Sequence, residues 1–205
     1  MPPSAPWPPR PPLVAILRGL EPARAAEVGQ VLIEAGLRAL EVPLNRPGAL
    51  ECLASLVRVA PPDAWIGAGT VTTPEEVDAV AQRAGRLIVS PHFDPAVVAR
   101  AVALGMRAVP GVFTASEAYA ALRAGAHALK LFPAEAMPTA GLQALAAVLP
   151  PGTPLWPVGG VTPDSLPGWR SAGATGAGIG SALFKPGLSN DEIRLRARAL
   201  LSAWG

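Results

Sequence analysis

The sequence predicts an α/β protein, a minimal single-domain (β/α)8 TIM barrel, and three observations carry that prediction. Short β-branched or aliphatic runs recur eight times along 205 residues. Helical patterns separate them, several opening on a first-turn proline and stopping at a glycine, the usual punctuation of helix ends. The ends of the runs, taken at Arg18, Glu41, Thr70, Ser90, Pro110, Lys130, Val158 and Ile179, lie 20 to 29 residues apart. That is the period of a βα unit, and eight such units close a barrel. The competing arrangement, an open doubly wound sheet, carries its glycine-rich nucleotide turn after the first strand. Here that position reads Arg18-Gly19-Leu20-Glu21-Pro22, which has no such turn.

Taken in order, residues 1–12 hold seven prolines and cannot form regular helix or sheet. They are read as an extended, flexible lead-in that Trp7 pins loosely, with the barrel domain spanning 13–205. Strands are expected over 13–17, 39–44, 64–68, 86–90, 106–110, 127–132, 155–158 and 175–180. Helices are expected over 22–35, 74–84, 95–104, 116–124 and 139–148, among others. Gly36, Gly85, Gly105, Gly125 and Gly173 are the expected C-cap glycines.

Composition narrows the function. Half of the residues are hydrophobic, which suits one domain with a real core. No apolar run is long enough to span a membrane. The formal charge is only +2, and the 17 basic residues form no dense run, so nucleic-acid binding is not expected. One cysteine, Cys52, excludes an intramolecular disulfide framework and a cysteine zinc cluster. A soluble, cytoplasmic protein is the expectation. Only two basic residues are lysines, Lys130 and Lys185, so each is worth locating.

In a barrel the site lies at the C-terminal ends of the strands, where a buried polar residue is costly unless paired or used. Lys130, in Ala-His-Ala-Leu-Lys-Leu-Phe-Pro, sits in the most apolar setting available to a lysine. It is either a buried ion-pair partner or a Schiff-base nucleophile whose neutral amine desolvation favours. Glu41, in Ala-Leu-Glu-Val-Pro-Leu, ends the second strand, across an eight-stranded barrel from the sixth. It is a plausible acid/base partner and an equally plausible static salt bridge; the residues alone do not separate the two.

Gly159-Gly160-Val161 and Gly180-Ser181 follow the seventh and eighth strands, where barrels commonly hold a phosphate on backbone N–H groups. Arg18 is the natural cationic partner for a carboxylate, and Thr70, above the small residues Gly67-Ala68-Gly69, can bind one too. His92 and His127 have no clustered third ligand, so no metal is expected.

Six segments taken together resemble a known family. They are Ile16-Leu17-Arg18-Gly19, Glu41-Val42-Pro43-Leu44-Asn45, Gly67-Ala68-Gly69-Thr70-Val71, Leu129-Lys130-Leu131-Phe132-Pro133, Gly159-Gly160-Val161-Thr162-Pro163 and Gly178-Ile179-Gly180-Ser181. In order and spacing, over about residues 13–203, they look like the class I aldolases of 2-keto-3-deoxy-6-phosphosugar acids.

The resemblance implies a Schiff base on Lys130, proton handling by Glu41, and a keto-acid pocket lined by Arg18 and Thr70. Asn45, Pro91, Phe132 and Val158 would be further substrate contacts, and Gly159, Gly160, Val161, Gly180 and Ser181 would hold the distal phosphate. It implies no cofactor, a phosphorylated keto-sugar acid and pyruvate as ligands, and a homotrimer.

Within the family, Pro43, Asn45 and Val158 look like the galactonate-derived branch, whereas the gluconate branch usually has Thr, Arg and Thr there. Cleavage of the galactonate-derived 6-phosphate to pyruvate and D-glyceraldehyde 3-phosphate is therefore expected. The gluconate epimer, or both, is the alternative, and a non-catalytic phosphosugar-binding barrel is the alternative of another class.

Overall fold

The computed structural model describes residues 6–205; the first five residues of the proline-rich lead-in lie outside them. Nine short strands and eight α-helices follow in βα order. The strands are β1 (Leu13–Ile16), β2 (Ala39–Pro43), β3 (Trp65–Gly69), β4 (Leu87–Val89), β5 (Arg107–Val109), β6 (Gly111–Val112), β7 (Leu129–Leu131), β8 (Leu155–Pro157) and β9 (Ala177–Ile179). The helices are α1 (Pro22–Ala35), α2 (Ala49–Val59), α3 (Pro74–Ala81), α4 (Pro95–Ala103), α5 (Ala115–Arg123), α6 (Thr139–Val148), α7 (Leu166–Ser171) and α8 (Asn190–Trp204).

Every pairing is parallel, in the orders β5-β4-β3-β2-β1-β9 and β6-β7-β8. Two joints close these sheets into one barrel. The Val158–Gly178 bridge and the Thr175 N–H donating to Leu155 O (3.1 Å) link β8 to β9. At the other joint β5 and β6 are one barrel strand interrupted at Pro110. The expected single strand over 106–110 is therefore corrected to two pieces. Proline has no N–H to give the ladder, while its carbonyl still accepts from the Lys130 N–H at 2.9 Å. Gly111 allows the continuation, because a Cβ there would meet Pro91 O at 2.2 Å.

Alternation along the strands sorts the core into two layers. Leu13, Ala15, Leu40, Val42, Leu129, Leu131, Ala177 and Ile179 face outward, into the large apolar layer beneath the helices. Val14, Ala39, Trp65, Leu87, Val89, Val109, Ala128 and Trp156 fill the inside. Glu41 and Lys130 fall in the inward register, two residues after Ala39 and Ala128. Among the described residues they are two of the three buried polar side chains of the core, with Ser90. The pleat that buries their neighbours against the helices thus turns both side chains toward the barrel axis.

The helix ends follow the sequence signals, with one exception. Thr73 with Glu76, Thr114 with Glu117, and Ser189 with Glu192 form reciprocal capping boxes, and Asp94 caps α4. Gly36, Gly105, Gly125 and Gly173 take the left-handed conformation expected of a C-cap. After α3 it is Ala84 (φ 57°) that turns left-handed, not Gly85. Gly85 is needed for space: a Cβ would fall 2.5 Å from Val80 Cγ1.

At the N-terminal end of the barrel Trp7 is packed more deeply than a loose pin. Its ring lies 5.4 Å from Trp65 and 5.3 Å from Trp156, and its Nε1–H donates to His127 O at 3.2 Å.

Candidate active site

Two adjoining spaces occupy the C-terminal half of the barrel. The inner one is a narrow cavity lined by Ile16, Glu41, Val89, Val109, Lys130, Trp156 and Val158, among others. The outer one is a cleft of about 260 Å³ at the mouth, sharing Ile16 and Val158 with the inner cavity. It is lined further by Arg18, Phe132, Gly159, Gly160, Val161, Gly180, Ser181, Phe184, Lys185 and Pro186. The inner cavity has a volume of only about 10 Å³, and Ile16 and Val158 form the wall it shares with the cleft that carries the two glycine turns.

Lys130 is 7% exposed and Glu41 is 2% exposed. Neither takes part in a direct ion pair among the described residues, so the static salt bridge is not made. Glu41 Oε2 is buried without a hydrogen-bond partner, an expensive condition for a carboxylate. Burial pushes the Glu41 carboxyl up to about 7, against the opposing pull of Lys130, Arg18 and the Gly69 amide. Burial likewise holds the Lys130 ammonium below its ordinary range, opposed by Glu41 and aided by Arg18. The pair thus offers an amine that gives up its proton more readily than an ordinary lysine and, near neutrality, a carboxyl that can gain or give one.

Local sequence sets these positions. Gly69 has to be glycine, because a Cβ there would sit 2.1 Å from Glu41 Oε2. Phe132, two residues after Lys130, has its ring centroid 4.5 Å from Nζ. Gly159 and Gly160 both take positive φ (109° and 64°), and a Cβ on either would crowd the Glu135 carboxylate at 2.9–3.0 Å. The amide N–H groups of Gly160, Val161 and Ser181 donate to no group among the described residues. Such a set of unpaired donors on two facing turns suits an anion.

Of the thirteen residues expected in the site, ten line these two spaces: Lys130, Glu41, Arg18, Phe132, Val158, Gly159, Gly160, Val161, Gly180 and Ser181. Asn45, Thr70 and Pro91 line neither. Asn45 is exposed two residues beyond β2. Thr70 leaves β3 with φ 56°, a strained conformation for a β-branched residue. The Pro91 carbonyl is pressed against Gly111. All three stand on the loops of the rim.

Lys185 is in the cleft and sequence reasoning missed it. The available signal was that it is one of only two lysines and follows Gly180-Ser181 by four residues. His127 lies at the opposite end of the barrel against Trp7. No group of three His, Cys, Asp or Glu side chains placed to hold a metal ion occurs among the described residues.

Fold and site together define a class: a parallel β/α barrel with a buried lysine and carboxylate beneath a mouth lined by glycine turns, the architecture of a lysine-dependent aldolase. A family model described as "Aldolase: KDPG and KHG aldolase" matches residues 10–196, and the chain belongs to that family of class I carbon–carbon lyases. Among its relatives is the 2-dehydro-3-deoxy-6-phosphogalactonate aldolase of Escherichia coli (strain K12). It is 46% identical over 97% of this chain and 97% of that protein. A probable enzyme of the same name from Rhizobium meliloti (strain 1021) is 45% identical over 94% of this chain and 91% of its own length. The solved structure titled "Native KDPGal structure" superimposes with a TM-score of 0.92 at 44% identity, covering 94% of both chains.

Proposed function

We propose that this enzyme cleaves 2-dehydro-3-deoxy-6-phospho-D-galactonate to pyruvate and D-glyceraldehyde 3-phosphate through an imine on Lys130. The observation that carries the reading is the buried cavity shared by Lys130 and the unpartnered Glu41 carboxylate, adjoining the glycine-lined cleft across Ile16 and Val158. Relatives named for the galactonate substrate support the epimer, as does the apolar Val158 at the junction of cavity and cleft.

The neutral Lys130 amine attacks the C2 carbonyl, and loss of water leaves an iminium. The Glu41 carboxylate takes the proton of the C4 hydroxyl. The C3–C4 bond then breaks, its electron pair moving into the iminium to give an enamine, and the aldehyde phosphate departs. Glu41, now protonated, returns a proton to C3, and water hydrolyses the imine to release pyruvate and the free amine. All electrons are accommodated by the imine nitrogen, so the cycle calls for no cofactor.

Arg18 pairs with the substrate carboxylate, while Thr70, Asn45 and Pro91 stand on the rim loops outside both spaces. The amides of Gly160, Val161 and Ser181 hold the phosphate, with Gly159 and Gly180 letting the backbone approach it. Binding the remote phosphate positions the reacting carbons. The enzyme acts as a cytoplasmic homotrimer; the exposed apolar side chains Phe113, Tyr119 and Val148 suit burial between protomers.

The test is pyruvate release from each C4 epimer of the 6-phosphate by the purified protein. Faster kcat/KM on the galactonate-derived epimer supports the proposal. Preference for the gluconate-derived epimer would overturn the substrate assignment, and binding of both without turnover would overturn catalysis.

A further inference from the structure

Lys185 has no part in the scheme above, yet its surroundings fix it over the cleft. It lines the mouth with Gly160, Ser181 and Arg18. Among the described residues it makes no hydrogen bond and no ion pair, whereas Arg24, Arg38, Arg100 and Arg194 each meet a carboxylate. Its side chain is exposed, but its backbone is held on both sides. On one side Phe184 is buried and donates its N–H to Gly180 O at 3.0 Å, tying the segment to the glycine turn. On the other, the Pro186 ring rests on Gly19, where a Cβ would fall 2.9 Å from Pro186 Cγ. The Lys185 carbonyl also accepts from the Leu188 N–H at 3.3 Å.

The cleft thus has two cations, Arg18 and Lys185, both with exposed side chains. Arg18 follows β1 by two residues, next to Ile16, which the cleft shares with the inner cavity. Lys185 borders the outer end, beside the unpaired amides. Neutral N–H groups alone stabilise a phosphate dianion less than a set that includes an ammonium, which supplies full charge and three rotatable donors. We propose that Lys185 contacts the distal phosphate of the substrate and sets the enzyme's preference for phosphorylated over unphosphorylated keto-sugar acids. This rests on the aldolase reading and adds a specificity-determining residue to it.

The experiment compares Lys185→Ala and Lys185→Arg with the parent on 2-dehydro-3-deoxy-6-phosphogalactonate and on the same acid lacking phosphate. For Lys185→Ala the ratio of the two kcat/KM values falls ~10- to 100-fold, the usual range for losing a charge-assisted contact. The loss lies in the phosphorylated substrate, inhibition by inorganic phosphate weakens in parallel, and Lys185→Arg restores most of both. An unchanged ratio, or an equal loss on both substrates, overturns the proposal. Borohydride trapping with pyruvate, which has no phosphate, is run on every variant. Trapping retained on Lys130 with an unchanged ratio rejects Lys185 alone, whereas no trapping in the parent rejects the aldolase reading beneath it. Should Lys185→Ala not fold, Lys185→Gln is measured in the same way, removing the charge while keeping a long polar side chain.

Discussion

The two ends of this barrel both bring cations against aromatic rings, and they do opposite things with them. At the N-terminal floor Trp7, Trp65 and Trp156 cluster. Arg86 stands 4.9 Å and Arg107 5.4 Å over the Trp65 ring, and Arg107 also lies 5.8 Å over Trp7. Arg86 donates to the carbonyls of Pro62 and Ala64, and the Trp65 indole donates to Pro6 O at 2.9 Å. Burial and the Arg107 charge lower the His127 pKa and favour its neutral form. At the C-terminal mouth Lys130 also has an aromatic neighbour, Phe132, but it shares a cavity with a carboxylate that has an unpartnered oxygen. Burial of charge therefore does not by itself mark a site. An unpartnered polar atom does not mark one either, since Arg107 Nε and Trp156 Nε1 at the floor also lack partners among the described residues. The mark is a buried amine and carboxylate sharing one cavity beside the glycine-lined cleft.

The sharpest way to break this contrast is to remove the carboxylate's chemistry while keeping its shape. Glu41→Gln is expected to lower turnover by ~10²–10⁴, the usual share of general acid–base catalysis, while pyruvate still forms its imine on Lys130. The pH profile carries the sign. With the carboxyl at about 7, the parent's kcat/KM falls as pH drops through that value, because Glu41 takes up a proton and stops acting as base. The part of that acid limb owed to Glu41 is absent in Glu41→Gln, while any part owed to protonation of the Lys130 amine remains. Turnover within about twofold of the parent would assign Glu41 to structure.

A smaller effect is expected at the junction of cavity and cleft. Val158 offers a C4 hydroxyl only an apolar surface, and an unpaired buried polar group costs about 1–3 kcal/mol. Val158→Thr, similar in size, is expected to shift the ratio of kcat/KM about tenfold toward the gluconate-derived epimer. An unchanged ratio in a folded variant would remove Val158 from control of specificity.

The smallest effect on rate is expected at the floor. Trp7→Ala removes a half-buried indole, so it is expected to cost about 2–3 kcal/mol, below the ~3–5 of a fully buried aromatic. For a chain this long that lowers Tm by roughly 5–10 °C, with kcat within a few-fold of the parent at 25 °C. A large loss of kcat with an unchanged Tm would join the floor to the site.

How far the sequence exposed these features depends on whether each is local. Glu41 and Lys130 were legible because each is an ionisable residue in an apolar strand, and alternation alone puts both on the inward face. The glycine turns were legible because their place in an eightfold period is itself a location. The break at Pro110 was not, since it depends on Gly111 meeting Pro91 from the neighbouring unit. The floor was not either: the slot for Trp7 exists only where Trp65 and Trp156, 91 residues apart, turn inward together. Lys185 was passed over because its turn is tied to the first βα loop through Pro186 and Gly19, a contact between chain ends that no local pattern records. Asn45, Thr70 and Pro91 were placed by their distance along the chain from strand ends, which locates the rim but not the cavity wall.

The central claim is that Lys130 is the nucleophile, and covalent capture tests it most directly. The protein is incubated with pyruvate, reduced with borohydride, and mapped by peptide mass spectrometry. The account predicts one reduced pyruvate adduct, on the peptide containing Lys130, absent from Lys130→Ala, which also loses aldol cleavage. An adduct confined to Lys185, or full activity in Lys130→Ala, would contradict it.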